Sequence, residues 1–138
     1  MRHRAGNQRL AKIPLFQNLT AKQLEAVDSL VTTIDVAAGR ELIRQGELGR
    51  EFIVVVAGEA EVRRDGQVVV VRGPGDFFGE MALILDRPRN ASVVATTDMT
   101  IEVINRREFK QLLEEYPDLH APLLQATAER LAAVDESS

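Results

Sequence analysis

The sequence predicts an α+β fold in which an antiparallel β-roll, similar to a jelly roll, lies between one N-terminal helix and C-terminal helices. Short β-branched runs separated by glycines fill residues 33–105, a pattern typical of many short strands joined by tight turns. Apolar residues with a helical period precede this region and return over about residues 106–134. The 138 residues, of which 45% are hydrophobic, suffice for one core, and we expect residues 1–138 to form a single domain.

The N-terminal helix is predicted over about Ala21 to Leu30. Thr20 stands three residues before Gln23, which is the arrangement of a capping box at a helix start. The apolar residues that follow recur with the helical period at Leu24, Val27 and Val31. We therefore expect a surface helix with one apolar stripe.

A β-hairpin is predicted around Asp65 and Gly66. These residues separate Glu59–Arg64 from Gln67–Arg72, and both residue types tolerate the positive φ angles of a tight two-residue turn. Polar and apolar residues alternate along the first of these segments, as in a strand with one face in water.

Two apolar runs, Phe52–Ala57 and Val68–Val71, have the length of strands. We interpret these runs, rich in valine and isoleucine, as core strands. Neither approaches the ~20 residues that span a bilayer, so we expect no membrane-spanning segment. The basic N-terminus has no apolar stretch behind it, so we expect no secretory signal.

Helices are predicted again after Asn105. The first is short and amphipathic, with apolar positions at Phe109, Leu112 and Leu113. It ends at Tyr116-Pro117, because the residue before a proline disfavours the α region. Asp118 then caps a last helix, which carries Leu119, Leu123, Leu124, Thr127, Leu131 and Val134.

Composition and motif content argue against several classes of function. The sequence has no cysteine, so disulfides and thiol catalysis are excluded. Its two histidines, His3 and His120, lie far apart, so no histidine-rich zinc site is expected. The net charge of −4 argues against general nucleic-acid binding. No carboxylate pair stands near a base, and Ser92 has no elbow motif, so we predict a non-enzymatic protein without a metal or cofactor. The absence of cysteine fits a cytoplasmic setting.

One segment, residues 77–93, interrupts the strand pattern. Gly79 permits close approach of the backbone to a ligand, and the helix formers of Glu80–Leu85 follow it. A short helix here presents backbone N–H groups and a positive dipole end, which suit an anion. Arg89, beyond a proline-containing turn, is placed to return its guanidinium to the same anion, since an arginine fork suits phosphate oxygens. Glu80 would then accept a hydrogen bond from a sugar hydroxyl and pair partly with an arginine.

Each of these residues also has a purely structural interpretation. Arg89 can form a surface salt bridge with Asp86 or Glu80, and Glu80 can simply stabilise a helix N-terminus. Their combination in this order and spacing favours a binding site.

The segment resembles the phosphate-binding cassette of cyclic-nucleotide-binding domains, whose pattern is F-G-E-(aliphatic)-A-L and, after a short gap, P-R-x-A-(S/T)-V. Every fixed position is met, by Phe78, Gly79, Glu80, Ala82, Leu83, Pro88, Arg89, Ala91, Ser92 and Val93. The resemblance extends over about Leu10 to Val134 and includes the glycine-bounded runs Arg44–Glu47 and Phe52–Glu59.

The resemblance implies a role for each cassette position. Glu80 binds the ribose 2′-hydroxyl, Arg89 binds the cyclic phosphate, and the backbone N–H groups of Ala82 and Ala91 add phosphate contacts. Asn90 stands where the family commonly has Ala, Ser or Thr, and the absence of Ser or Thr favours cyclic AMP over cyclic GMP. The predicted ligand-contacting residues of the cassette are Phe78, Gly79, Glu80, Met81, Ala82, Arg89, Asn90 and Ala91.

The C-terminal tail is predicted to cover the ligand. One helix face carries Leu123, Thr127, Arg130 and Val134. The tail resembles that of bacterial channel-associated members in which a late helical arginine stacks on the adenine, which implies this role for Arg130. Alternatively, Arg130 is a solvated cation favoured by the helix dipole.

The resemblance therefore implies a regulatory domain that binds cyclic AMP, or else cyclic GMP, and acts on an effector protein or domain. Ligand would favour one placement of the C-terminal helices over another, by its difference in affinity for the two states. The alternative is a protein-interaction module whose degenerate pocket no longer binds nucleotide. Titration with a panel of cyclic nucleotides separates the two.

Overall fold

The helix that precedes the β-roll begins and ends where the sequence predicts. The computed structural model describes residues 10–13, 16–17, 19–79, 88–121, 124–125 and 128, and helix α1 spans Ala21–Leu30. Thr20 Oγ1 accepts a hydrogen bond from the Gln23 N–H at 3.2 Å, and the Gln23 side chain accepts one from the Thr20 N–H at 2.8 Å. The capping box is therefore formed, and the predicted stripe of Leu24, Val27 and Val31 is buried.

Eight strands follow α1 within the described residues. They are β1 Thr32–Val36, β2 Glu41–Ile43, β3 Glu51–Ala57, β4 Ala60–Arg64, β5 Gln67–Arg72, β6 Phe77–Phe78, β7 Ser92–Ala95 and β8 Met99–Asn105. They form two four-stranded sheets with the orders β1-β8-β3-β6 and β2-β7-β4-β5. All the pairings are antiparallel, so the predicted α+β fold with an antiparallel β-roll is confirmed.

Strand β3 is apolar from Phe52 onward because its central residues are buried on both faces. Ile53 and Val55 belong to the apolar cluster that both sheets share inside the roll. Phe52 and Val54 point to the other side and join the cluster that contains the helices. Successive residues of a strand face opposite sides of a sheet, so a two-sided core produces a continuous apolar run.

The interpretation of Val68–Val71 as a core strand is wrong. Val68, Val69 and Val71 are 52%, 43% and 52% exposed. Strand β5 is the edge strand of its sheet, and its register with β4 shifts between Val62 and Arg63. Strand propensity and apolarity predicted the strand correctly, but its position at the sheet edge decides its burial.

The predicted turn at Asp65 and Gly66 is confirmed. The two residues have φ angles of 53° and 81°, as a tight hairpin turn of this type requires. Asp65 is the non-glycine residue with positive φ in the described part of the chain, and aspartate is among the residues that tolerate this conformation.

The first C-terminal helix, α2, spans Arg106–Glu115. Phe109 and Leu112 are buried on its inner face. The helix ends before the predicted Tyr116-Pro117 break. Asp118, the predicted cap of the last helix, lies within a 3₁₀ turn, Pro117–Leu119. Of the residues predicted on the last helix, Leu123, Thr127, Arg130, Leu131 and Val134 lie outside the described residues.

The described residues lack the features that a membrane-spanning helix or a metal site requires. None of their helices is long and apolar enough to cross a membrane. None of their histidine, aspartate and glutamate side chains forms a group of three or more suited to a metal ion.

Candidate functional site

The structure places part of the predicted cassette beside β3. Phe78 pairs with Ile53 of β3 and is buried in the cluster inside the roll. Gly79 follows Phe78 directly, and Arg89 comes back to the same place from the other end of the cassette. Glu80, Met81, Ala82 and Arg130 lie outside the described residues, so their predicted contacts stay predictions.

Gly79 has to be a glycine for two reasons. Its φ is +94°, a conformation that residues with a β-carbon rarely adopt. A β-carbon at this position would overlap Arg89 Nη1 and would lie 2.6 Å from the carbonyl oxygen of Glu51. The glycine thus makes room for the Arg89 guanidinium to lie directly against the backbone.

The side chain of Arg89 is held in a buried position. The residue is 9% exposed, and its Nη2 donates a hydrogen bond to the carbonyl oxygen of Glu51 at 2.7 Å. Burial of a guanidinium costs free energy unless it is hydrogen-bonded and paired. A buried arginine of this kind is therefore a candidate for anion recognition rather than for solubility.

The backbone of Arg89 is held by the loop between β2 and β3, residues 44–50, which we call the cradle loop. The Arg89 N–H donates to the Glu47 carbonyl at 2.7 Å, and the Arg89 carbonyl accepts from the Gly46 N–H at 2.9 Å. A further bridge joins Leu48 to Pro88. The cradle loop and the adjoining start of β3 therefore contact both the backbone and the guanidinium of Arg89.

A cavity of about 460 Å³ opens beside Arg89. Its described lining consists of Leu42, Ile43, Arg44, Glu47, Leu48, Arg50, Glu51 and Arg89. This volume lies in the range of small-molecule sites, and five of the eight described lining residues carry charged side chains.

Arg44 stands at the exposed rim of this cavity and is engaged by acidic neighbours. Its Nε lies 2.7 Å from Glu41 Oε1, and its Nη1 lies 3.5 Å from Glu47 Oε1. The hydrogen bond to Glu41 raises the pKa of the Arg44 guanidinium, and the charges of both carboxylates act in the same direction. Arg44 thus serves its own ion-pair network, whereas Arg89 is the buried cation of the cavity wall.

The residues after Arg89 are fixed by partners that the sequence pattern did not reveal. The Asn90 carbonyl accepts from Arg64 Nε at 3.3 Å, and Ser92 Oγ accepts from the Gln45 N–H at 2.9 Å. Ala91, the predicted backbone donor, is buried. Gln45, Glu51 and Arg64 were missed as site residues because their side-chain and backbone partners are distant in sequence.

A β-roll that holds a buried arginine against a glycine at the wall of a cavity has the form of a receptor domain for a small anion. The family model described as "Cyclic nucleotide-binding domain" matches residues 33–116. The chain belongs to the cyclic nucleotide-binding domain family.

Similar proteins come from fungi and bacteria. The cAMP-dependent protein kinase regulatory subunit of Schizosaccharomyces pombe is 37% identical over 111 residues, which cover 80% of this chain and 27% of that protein. The Pycsar effector protein XpPycTIR of Xanthomonas perforans is 35% identical over 131 residues, which cover 92% of this chain and 43% of that protein. The chain therefore spans less than half the length of either relative.

The fold recurs in solved structures. The cAMP-bound structure of PfPKA-R (141–441) superimposes with a TM-score of 0.89 at 22% identity, covering 98% of this chain and 47% of that chain. At this level of identity the likeness shows the fold.

Proposed function

We propose that this domain binds a cyclic nucleoside monophosphate, cyclic AMP in preference to cyclic GMP, and that Arg89 receives the cyclic phosphate. The observation that carries the proposal is the position of Arg89, which is buried, lies against Gly79 and lines the cavity. A cyclic phosphate monoester carries one negative charge, and a guanidinium fork offers it parallel hydrogen bonds.

The arrangement of Arg89 favours binding because the side chain is ordered in advance. Its bond to the Glu51 carbonyl fixes the guanidinium, and its backbone is fixed by Gly46 and Glu47. Binding loses affinity when a flexible side chain has to be ordered by the ligand. An arginine fixed before the ligand arrives avoids most of that cost.

The remaining contacts are proposed from the resemblance of the cassette. Glu80 accepts a hydrogen bond from the ribose 2′-hydroxyl, and the N–H groups of Ala82 and Ala91 contribute to the phosphate site. Arg130 covers the purine. The preference for cyclic AMP is supported by the similarity to the Schizosaccharomyces pombe regulatory subunit of a cAMP-dependent protein kinase, and by the presence of Asn90 in place of Ser or Thr.

We further propose that ligand binding is transmitted to the C-terminal helices, through which the domain acts on an effector. The route begins at Glu51, whose carbonyl holds Arg89. The preceding carbonyl, that of Arg50, accepts the N–H of Arg106, the first residue of α2, at 2.7 Å. The following residue, Phe52, stacks on Phe109 of α2 with ring centroids 4.5 Å apart. Three consecutive residues of β3 and its preceding loop thus connect the arginine to α2.

Calorimetric titration of the parent chain with cyclic AMP, cyclic GMP and cyclic dinucleotides tests this function. We expect saturable binding of cyclic AMP with a lower affinity for cyclic GMP. Tighter binding of cyclic GMP would overturn the purine preference alone. Absence of binding to every member of the panel would overturn the sensor function and favour an interaction module with a degenerate pocket.

A further inference from the structure

We propose that Gln45 is a positioning residue for Arg89, acting through a reciprocal hydrogen-bonded pair with Asp65 at the tip of the β4–β5 hairpin. The inference rests on the proposed function, because the value of positioning Arg89 is the binding of an anionic ligand. Gln45 is not among the ligand-contacting residues predicted from the sequence.

Gln45 connects three parts of the fold. Its Nε2 donates to Asp65 Oδ1 at 3.0 Å, and its Oε1 accepts the Asp65 N–H at 2.9 Å. Its own N–H donates to Ser92 Oγ at 2.9 Å. One residue at the start of the cradle loop is thus bound both to the hairpin tip and to the first residue of β7.

The central residues of the cradle loop are exposed, so the position of the loop depends on hydrogen bonds to other parts of the fold. Gly46, Glu47 and Leu48 are exposed, and Leu48 is 65% exposed despite its apolar side chain. Gly46 also has a φ of 89°. Exposed loop segments with few buried contacts open locally at low free energy.

This loop nevertheless determines where Arg89 lies. The backbone of Arg89 exchanges hydrogen bonds with Gly46 and Glu47, which directly follow Gln45. A displacement of the loop therefore moves Arg89 relative to Gly79, against which the guanidinium packs without spare room.

The hairpin tip is a suitable anchor. Strands β4 and β5 pair from Ala60 and Arg72 to Arg64 and Gln67, with one register shift between Val62 and Arg63, so the turn between them has a fixed position. The same hairpin reaches the other side of Arg89 through the bond from Arg64 Nε to the Asn90 carbonyl. The hairpin therefore binds Gln45, which precedes the loop residues that hold Arg89, and also Asn90, which follows Arg89.

The test compares Gln45→Glu with the double variant Gln45→Glu/Asp65→Asn. The single variant places two carboxylates against each other and breaks the side-chain bond. The double variant restores a donor opposite the new carboxylate, and asparagine tolerates the positive φ of position 65. Gln67→Glu, at the exposed start of β5, adds the same charge near the hairpin without touching the pair, and Gln45→Ala removes the pair without adding a charge.

We expect Gln45→Glu and Gln45→Ala each to weaken cyclic AMP binding about tenfold, which is the loss expected for one or two hydrogen bonds. The double variant should return to within about twofold of the parent, and Gln67→Glu should stay within about twofold. Equal affinities for Gln45→Glu and the parent, or failure of the double variant to recover, would overturn the positioning role.

A readout without ligand keeps this inference separate from the proposed function. Amide hydrogen exchange at the Gly46 and Arg89 N–H groups should accelerate about tenfold in Gln45→Glu and recover in the double variant, with the melting temperature little changed. If the parent binds no cyclic nucleotide, the proposed function fails, and exchange alone decides the positioning. Unchanged exchange at both amides in Gln45→Glu would overturn the positioning role of Gln45 even if the parent binds cyclic AMP.

Discussion

The guanidinium of Arg89 lies so close to the backbone of Gly79 that a β-carbon at position 79 would overlap Arg89 Nη1. The two residues are ten positions apart in the chain and enclose the segment that carries the predicted helix of the cassette. Their contact fixes the place of the buried cation relative to the start of that segment. This relationship gives a direct test of the site geometry.

Gly79→Ala should displace Arg89 and impair both stability and binding. Gly39→Ala is a matched control, because Gly39 has the same φ of +94° and would place its β-carbon in open space. The control should lose about 1–2 kcal/mol from the backbone conformation, whereas Gly79→Ala should lose about 1–3 kcal/mol more from the overlap. Denaturant unfolding and cyclic AMP titration measure the two effects. Equal losses in both variants would contradict the close packing of Arg89 over Gly79.

Arg89→Ala should weaken cyclic AMP binding by about 2–5 kcal/mol, because the phosphate would lose its charged partner in a largely desolvated site. This corresponds to a loss of roughly thirtyfold to a few thousandfold. The exposed Arg107 of α2 provides the control, Arg107→Ala, which should bind like the parent. Calorimetry gives the affinities, and circular dichroism establishes that both variants fold. Binding by Arg89→Ala within threefold of the parent would remove Arg89 from the phosphate site.

Glu80→Gln should weaken binding of cyclic AMP by about tenfold to a hundredfold, since a hydrogen bond to a charged group contributes about 1.5–3 kcal/mol. The loss should be much smaller for 2′-deoxy cyclic AMP, which lacks the hydroxyl that Glu80 is proposed to bind. Parallel titrations of both ligands measure this difference. The exposed Glu114 of α2 supplies the control, Glu114→Gln, and an equal loss for ribo and deoxy ligands in Glu80→Gln would separate Glu80 from the sugar.

Deletion of the chain from Arg130 onward should weaken cyclic AMP binding roughly tenfold, because a guanidinium stacked on a purine contributes on the order of 1–2 kcal/mol when partly desolvated. Deletion from Asp135 onward is the control and should leave the affinity unchanged. Ligand should also slow amide exchange in the segment 123–134 of the full chain. Unchanged affinity in the longer deletion, together with unchanged exchange in that segment, would show that the tail does not cover the ligand.

The parts of the fold that the sequence determines are those with local causes. The capping residues Thr20 and Gln23 begin α1, the pair Asp65-Gly66 forms the hairpin turn, and Pro117 follows the end of α2. In each case the interacting atoms lie within a few residues of one another, so the residue types alone specify the geometry. The cassette pattern likewise identifies Gly79 and Arg89 by residue type and spacing.

The tertiary structure alone decided the features that depend on which segments become neighbours. Val68–Val71 is an apolar strand by composition, yet it is largely exposed because β5 lies at a sheet edge. Arg89 and Glu51 are 38 positions apart, and Gln45 and Asp65 are 20 apart. Contacts over such separations arise from sheet order and packing, and no local periodicity encodes them. The sequence by itself therefore determined the site's chemical groups and the roll that carries them, whereas the pairing of strands determined the partners that hold those groups in place.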